Sequence, residues 1–249
     1  MKSSLLSPAE ATRYSRQMAL KGWGRQAQER LKSAHLLIAG AGGMAYTAAL
    51  YLLASGVGGV RLVDGSKVGL ADLNHHIFFR ERDLSKAKAT VAEHYLKDLN
   101  PFSLVESKAK TISKYNVFRL TAGCHLIVDA MNHATASLFL NQAAVRLRIP
   151  MVHARVWEMN GRLTTFWPGQ GPCLACTYPE VSLGGTSALM GPIPGVLGTL
   201  QALEVLRILG GLGPALVGRQ LTFKGEQFQF TEKPLRPNPL CQVCRHLEP

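Results

Sequence analysis

Short, mostly apolar runs stand at 36–39, 60–63 and 126–128, with briefer ones at 104–105 and 151–152. Runs this short that are apolar at nearly every position fit strands buried on both faces of a sheet. Between them, apolar residues recur at helical spacing over 44–55, 86–99 and 135–147. The second of these helices should stop at Asn100-Pro101, because proline forces the residue before it out of helical backbone. Strands alternating with helices predict an α/β, Rossmann-like core: a mostly parallel sheet with helices on both faces.

The pattern differs at both ends. Residues 8–33 read as a helical N-terminal arm. Beyond Pro150, residues 161–167 alternate like a strand, 198–209 read as a buried helix, and 220–230 as a hairpin around Lys224-Gly225. These predict an antiparallel C-terminal extension. No stretch is long enough to be a linker between independent domains.

At 249 residues and 47% hydrophobic, the chain suits one large α/β domain. Residues 36–60 carry no charge and could be mistaken for a membrane span. Gly40, Gly42 and Gly43 interrupt that stretch near its start, and Gly56, Gly58 and Gly59 end it, so strand, turn and helix explain it better. The first residues are not expected to form a secretory signal, since Arg13 and Arg16 follow a very short apolar stretch. A soluble, cytoplasmic protein is expected, with no membrane contact. The net charge of +12 favours an acidic partner. The basic residues are scattered and no aromatic platform for bases is visible, so nucleic acid is not the expected partner.

Gly40-Ala41-Gly42-Gly43-Met44-Ala45 links the first predicted strand to the first core helix. This is the G-x-G-x-x-A form of the dinucleotide fingerprint. Gly40 allows a tight turn, Gly42 lets a phosphate approach the backbone, and the helix N-terminus offers free N–H groups and a positive dipole. Asp64 ends the next strand, where an acid can accept hydrogen bonds from ribose hydroxyls. NAD, FAD and ATP all use such a loop.

Five cysteines are present. Cys173-Leu-Ala-Cys176 and Cys241-Gln-Val-Cys244 form two C-x-x-C pairs. Two pairs complete a tetrahedral four-sulfur Zn²⁺ site that would staple the tail to the body of the domain. A redox dithiol is the rival for either pair. Cys124 reads as a small buried hydrophobe.

Together these marks resemble the ubiquitin-activating-enzyme-like adenylyltransferases, notably those acting on sulfur carriers for molybdopterin and thiazole. The residues that carry the resemblance are Arg13-Tyr-Ser-Arg-Gln17, the Gly40 loop, Val63-Asp64, Asp72-Leu73, Lys88, Asn100-Pro101, Asp129, Pro172 to Cys176, Gly191-Pro192, Gly195, Gly198 and the second cysteine pair. The resemblance implies that ATP and Mg²⁺ activate a carboxylate, the C-terminal glycine of a ubiquitin-like sulfur carrier. It assigns Arg16 and Lys88 to phosphate and Asp64 to ribose. It places Arg16 over the ATP site of the neighbouring subunit in a homodimer. The chain would then divide into an arm (1–33), a nucleotide-binding core (34–150) and a substrate-binding, zinc-stapled part (151–249).

Two positions depart from the family pattern. His75 stands where a catalytic arginine is expected, and Asn132 where a magnesium-binding aspartate is expected. Asn132 can offer an oxygen but no charge, and Asp72 is the candidate replacement ligand. Residues 177–191 contain no cysteine, which argues against persulfide or thioester chemistry. The changes admit adenylation of another carboxylate, peptide or small molecule. They also admit a catalytically impaired protein that binds nucleotide and a partner. An NAD-dependent oxidoreductase fits the loop but not the other marks.

Overall fold

The computed structural model describes residues 5–178 and 188–247. Three helices form the arm: α1 (Pro8–Arg13), α2 (Ser15–Met18) and α3 (Gly24–Ser33). The core then runs β1 (His35–Ala39), α4 (Gly43–Ala54), β2 (Gly59–Val63), α5 (Lys88–Lys97), β3 (Leu104–Lys108), α6 (Val117–Thr121), β4 (Leu126–Asp129) and α7 (Ala134–Leu147). The last part holds β5 (Met151–Trp157), β6 (Asn160–Phe166), α8 (Leu174–Thr177), α9 (Pro192–Gly210), β7 (Arg219–Lys224) and β8 (Gln229–Pro234).

Among the described residues, eight strands join one sheet in the order β3-β2-β1-β4-β5-β6-β7-β8. The first five are parallel and the remaining pairings antiparallel. The chain order reverses between β1 and β4, so their carboxyl ends open a crevice, the usual ligand position in such sheets. Ala39, Asp129 and His153 are aligned there across β1, β4 and β5.

Both faces of the sheet are covered. One apolar core includes Leu36, Ile38, Leu52 and Leu62 and packs under α3, α4, α5 and α9. The other includes Leu37, Ile127, Leu140 and Met151 and packs under α6 and α7. Alternate strand residues feed alternate faces, which is why the strands are apolar throughout. One helix, α9, is long and apolar enough to cross a membrane by length and composition. Here it is a core helix packed on α4 and β5. Gln201 of α9 donates to the carbonyls of Asp129 and Val152, each at 2.9 Å, tying the helix to the crevice strands.

Several elements exceed their sequence signals. The strand starting at Met151 continues to Trp157 because it pairs residue by residue with β6. The helix expected over 198–209 begins at Pro192, a residue suited to a first turn. The short helices α6 and α8 carry too few periodic positions to show in the sequence.

Candidate functional site

The glycine loop joins β1 to α4. Gly40 has φ +103°, and a Cβ there would lie 3.1 Å from the Ala130 carbonyl oxygen. Glycine is therefore required for conformation and for close approach to β4. A Cβ on Gly42 would lie 2.8 Å from His76 Nε2, and one on Gly43 would lie 2.5 Å from the His75 carbonyl oxygen. Gly42 caps α4 without any side-chain hydrogen bond, and no acidic residue stands in the first turn. The helix thus presents an uncompensated N-terminus, suited to phosphate.

Asp64 is buried and grips this loop. Its Oδ2 accepts from the Ala41 amide at 2.9 Å and its Oδ1 from the Ser66 amide at 2.7 Å. The carboxylate therefore fixes the loop before any ligand arrives, and a ribose would use its remaining lone pairs.

The chain next brings Asp72 and Lys88 together. Ser66 accepts from the Lys88 amide at 2.9 Å, so Lys88 opens α5 beside the loop. Its ammonium lies 2.9 Å from Asp72 Oδ1, and both side chains are mostly buried. Burial pushes the Asp72 carboxyl up, but the hydrogen bonds from Lys88 and Gly69 outweigh that, and its pKa is lowered. His75 and His76 close the cluster, with ring centroids 4.1 Å apart. Burial, then the positive charge near it, pushes the His76 imidazole down to about 3, so it is neutral. Burial also lowers His75. One donor atom from each of Asp72, His75 and His76 lies within 4.8 Å of the others. Among the described residues this cluster offers a single carboxylate. Mg²⁺ prefers oxygen ligands, so the set suits it poorly.

The other expected site residues lie apart. Asn132 is exposed in the bend after β4. Arg16 is exposed on α2, whose Gln17 donates to the Ser55 carbonyl at 3.1 Å. Ser55 caps the C-terminus of α4. At about 1.5 Å of rise per residue, that end lies roughly 20 Å from the glycine loop. Within one chain Arg16 and the loop are not brought together.

One pair had no clear sequence signal. Asp129 and His153 are both buried, with Asp129 Oδ2 2.8 Å from His153 Nδ1. Asp129 Oδ1 accepts from the Met131 amide at 3.2 Å and so shapes the bend that carries Asn132. His153 Nε2 has no hydrogen-bond partner among the described residues. Aligned strand ends, not sequence proximity, produce this pair.

The four cysteines of the two pairs converge, all sulfurs lying within 4.8 Å of one another. Cys173 Sγ is 3.8 Å from Cys176 Sγ and 3.7 Å from Cys241 Sγ, and Cys176 Sγ is 3.3 Å from Cys244 Sγ. A tetrahedral zinc with bonds of about 2.3 Å separates its sulfurs by about 3.8 Å, so the cluster can hold Zn²⁺. Asn141 of α7 braces it, donating to Cys173 Sγ and accepting from the Leu174 amide at 2.9 Å. Burial pushes the Cys173 thiol up to about 11, which a bound dication would reverse. Cys124 is a half-buried thiol near Arg61, raised by burial. Of the cysteine-free segment 177–191, positions 179–187 lie outside the described residues.

Comparison with known proteins agrees with this architecture. The family model described as "ThiF family" matches residues 14–243. Adenylyltransferase and sulfurtransferase MOCS3 of Drosophila persimilis is 34% identical over 246 residues, covering 96% of this chain and 54% of that protein. The chain thus spans about half the length of that curated relative. Sulfur carrier protein adenylyltransferase of Thermus thermophilus is 32% identical over 246 residues, covering 94% of this chain and 91% of that protein. The crystal structure of E. coli MccB with ATP has a TM-score of 0.84, covering 98% of this chain and 77% of that one. At 21% identity the likeness to MccB is one of fold.

Proposed function

Since the chain belongs to the ThiF family, we propose that it is an ATP-dependent adenylyltransferase whose substrate is the C-terminal glycine carboxylate of a ubiquitin-like sulfur carrier. The observation that carries this reading is the uncapped α4 N-terminus, with Asp64 gripping the loop and Lys88 beside it. Relatives named as adenylyltransferases supply the reaction class.

The carboxylate attacks the α-phosphorus and pyrophosphate leaves. The protein has little covalent work to do, so catalysis rests on positioning and on stabilising charge. The α4 amides and Lys88 hold phosphate. Asp64 holds the loop and meets the ribose. Asp129, steadied by His153, sets the bend of Asn132. Arg16 acts from the neighbouring subunit of a homodimer, consistent with its distance from the loop of its own chain. Residues 151–249 receive the carrier, and zinc fixes their tail without joining the chemistry.

ATP–pyrophosphate exchange, stimulated by a carrier ending in Gly-Gly, is the direct test. Exchange with no carrier of a broad panel, in protein that binds ATP, would sink the carrier reading. Calorimetry on Asp64→Ala tests the nucleotide position; ATP affinity should fall by about tenfold or more with loss of the two loop contacts. A second reading is a peptide or small-molecule carboxylate substrate, or a protein that binds nucleotide without turnover. His75 and the exposed, uncharged Asn132 favour it, because both expected charges are missing. Retained ATP binding without exchange on any carboxylate would select the silent form.

A further inference from the structure

Residues 70–76 form successive helical turns beside the glycine loop. A short 3-10 helix spans Leu70–Asp72, and the His75 and His76 amides both donate to the Asp72 carbonyl, at 3.1 and 2.8 Å. Residues three and four apart then share one side of the turn, which gathers Asp72, His75 and His76. Two imidazoles and one carboxylate suit first-row transition cations better than magnesium.

The surroundings point the same way. The His76 side chain is 9% exposed, yet its Nδ1 has no hydrogen-bond partner among the described residues. That nitrogen lies 3.5 Å from Asp72 Oδ1, too far for a hydrogen bond and close enough to share an ion. His75 Nδ1 lies 2.6 Å from Asn74 Oδ1. This contact orients the ring and leaves Nε2 for a ligand, as second partners do for metal-binding histidines. Asp72 Oδ2 is taken by the Gly69 amide at 2.8 Å, and Oδ1 already faces positive charge, the Lys88 ammonium.

We propose that Asp72, His75 and His76 form a site for a divalent first-row transition cation, filled when a nucleotide phosphate draws Lys88 away from Asp72. The proposal rests on the nucleotide half of the functional reading and not on the carrier. One dication at this place would restore, beside the phosphates, the charge missing at His75 and Asn132.

The test uses full-length protein with zinc already bound, a non-hydrolysable ATP analogue, and Co²⁺ as the probe. Cobalt exchanging into the cysteine cluster would announce itself by an intense thiolate charge-transfer band. The proposal expects one further Co²⁺ per chain without that band. It also expects paramagnetically shifted, exchangeable imidazole N–H signals from two histidines in the unaltered protein, which requires no variant to fold. Affinity should fall by about tenfold or more in His75→Ala, a half-exposed position, and in His76→Gln. Lys88→Met should bind cobalt without the analogue. This arm still probes the site if the analogue itself fails to bind, which separates failure here from failure of the nucleotide reading. Cobalt binding of equal strength in His75→Ala, or bound cobalt with no shifted imidazole signals, overturns the proposal.

Discussion

The two halves of the sheet are held together by different means. The candidate nucleotide site lies within one stretch, Gly40 to Lys88, plus the ends of β4 and β5. Its parts are backbone amides, one loop-gripping carboxylate and a polar cluster that is close to charge balance. The cysteine cluster joins positions far apart in sequence through four sulfurs, around a braced core that includes Asn141. The first is preorganised by the protein alone and can bind or release a ligand. The second gathers four sulfurs, two of them on buried cysteines, at the spacing of a tetrahedral Zn²⁺ site, and an ion there would tie the tail to the body of the domain. Exchange suits the first arrangement and permanence suits the second.

The largest effect should come from breaking the permanent half. Zinc binding in small modules is worth about 10 kcal/mol or more. Cys241→Ser should abolish stoichiometric zinc and release residues 235–247 to limited proteolysis. The parallel strands should stay folded, since their cores do not include the cluster. Metal analysis and proteolytic mapping measure both, and a tail still protected in zinc-free protein would contradict the staple.

The exchangeable half should break by crowding. Gly42→Val puts a branched Cβ against His76 Nε2, at a backbone conformation that any residue can adopt. The cost is steric, about 1–3 kcal/mol. ATP affinity measured by calorimetry should drop by about 10- to 100-fold, with zinc content unchanged. Loss of zinc in this variant would mean that the halves are coupled.

A smaller change should strengthen the same half. His75→Arg combined with Asn132→Asp restores two charges, and magnesium-supported pyrophosphate exchange should rise by about tenfold, or about 1.4 kcal/mol. An unchanged rate would show that these positions do not limit catalysis.

The smallest effect concerns the arm, which belongs to neither half. Glu10 is buried, caps α1 with Ser7, and lies 2.6 Å from Lys32 Nζ. Burial pushes its carboxyl up, but Lys32 and the Ser7 hydrogen bonds outweigh this and hold it below the ordinary 4.5. A lowered folded value means that the stabilisation is complete above that ordinary value and is lost as pH falls through the folded one. Glu10→Gln should cost about 1 kcal/mol near pH 7 and little in strong acid. Thermal unfolding at both pH values reads the difference, and an equal loss at both would assign the effect to packing.

The alternation of buried strands and helices, the glycine loop, the acid at the end of β2 and the membership of the two cysteine pairs are legible in the order of residues alone. Each is a local signal: apolar period, turn chemistry, or a residue type with few other uses. The cysteines were legible across their long separation because C-x-x-C means metal or redox chemistry wherever it stands. What Asp64, Asp72 and Asp129 face depends on how the elements pack. Asp64 spends an oxygen on each of two backbone amides, Asp72 meets Lys88 across a loop, and Asp129 meets His153 because β4 and β5 align at their carboxyl ends. Nor did spacing show that Gly42 lies close to His76, or that Gln17, next to the exposed Arg16, ties α2 to the far end of α4. Side-chain pairing depends on strand register and helix docking, which are set by burying the whole apolar surface at once, and no short window of sequence contains that sum.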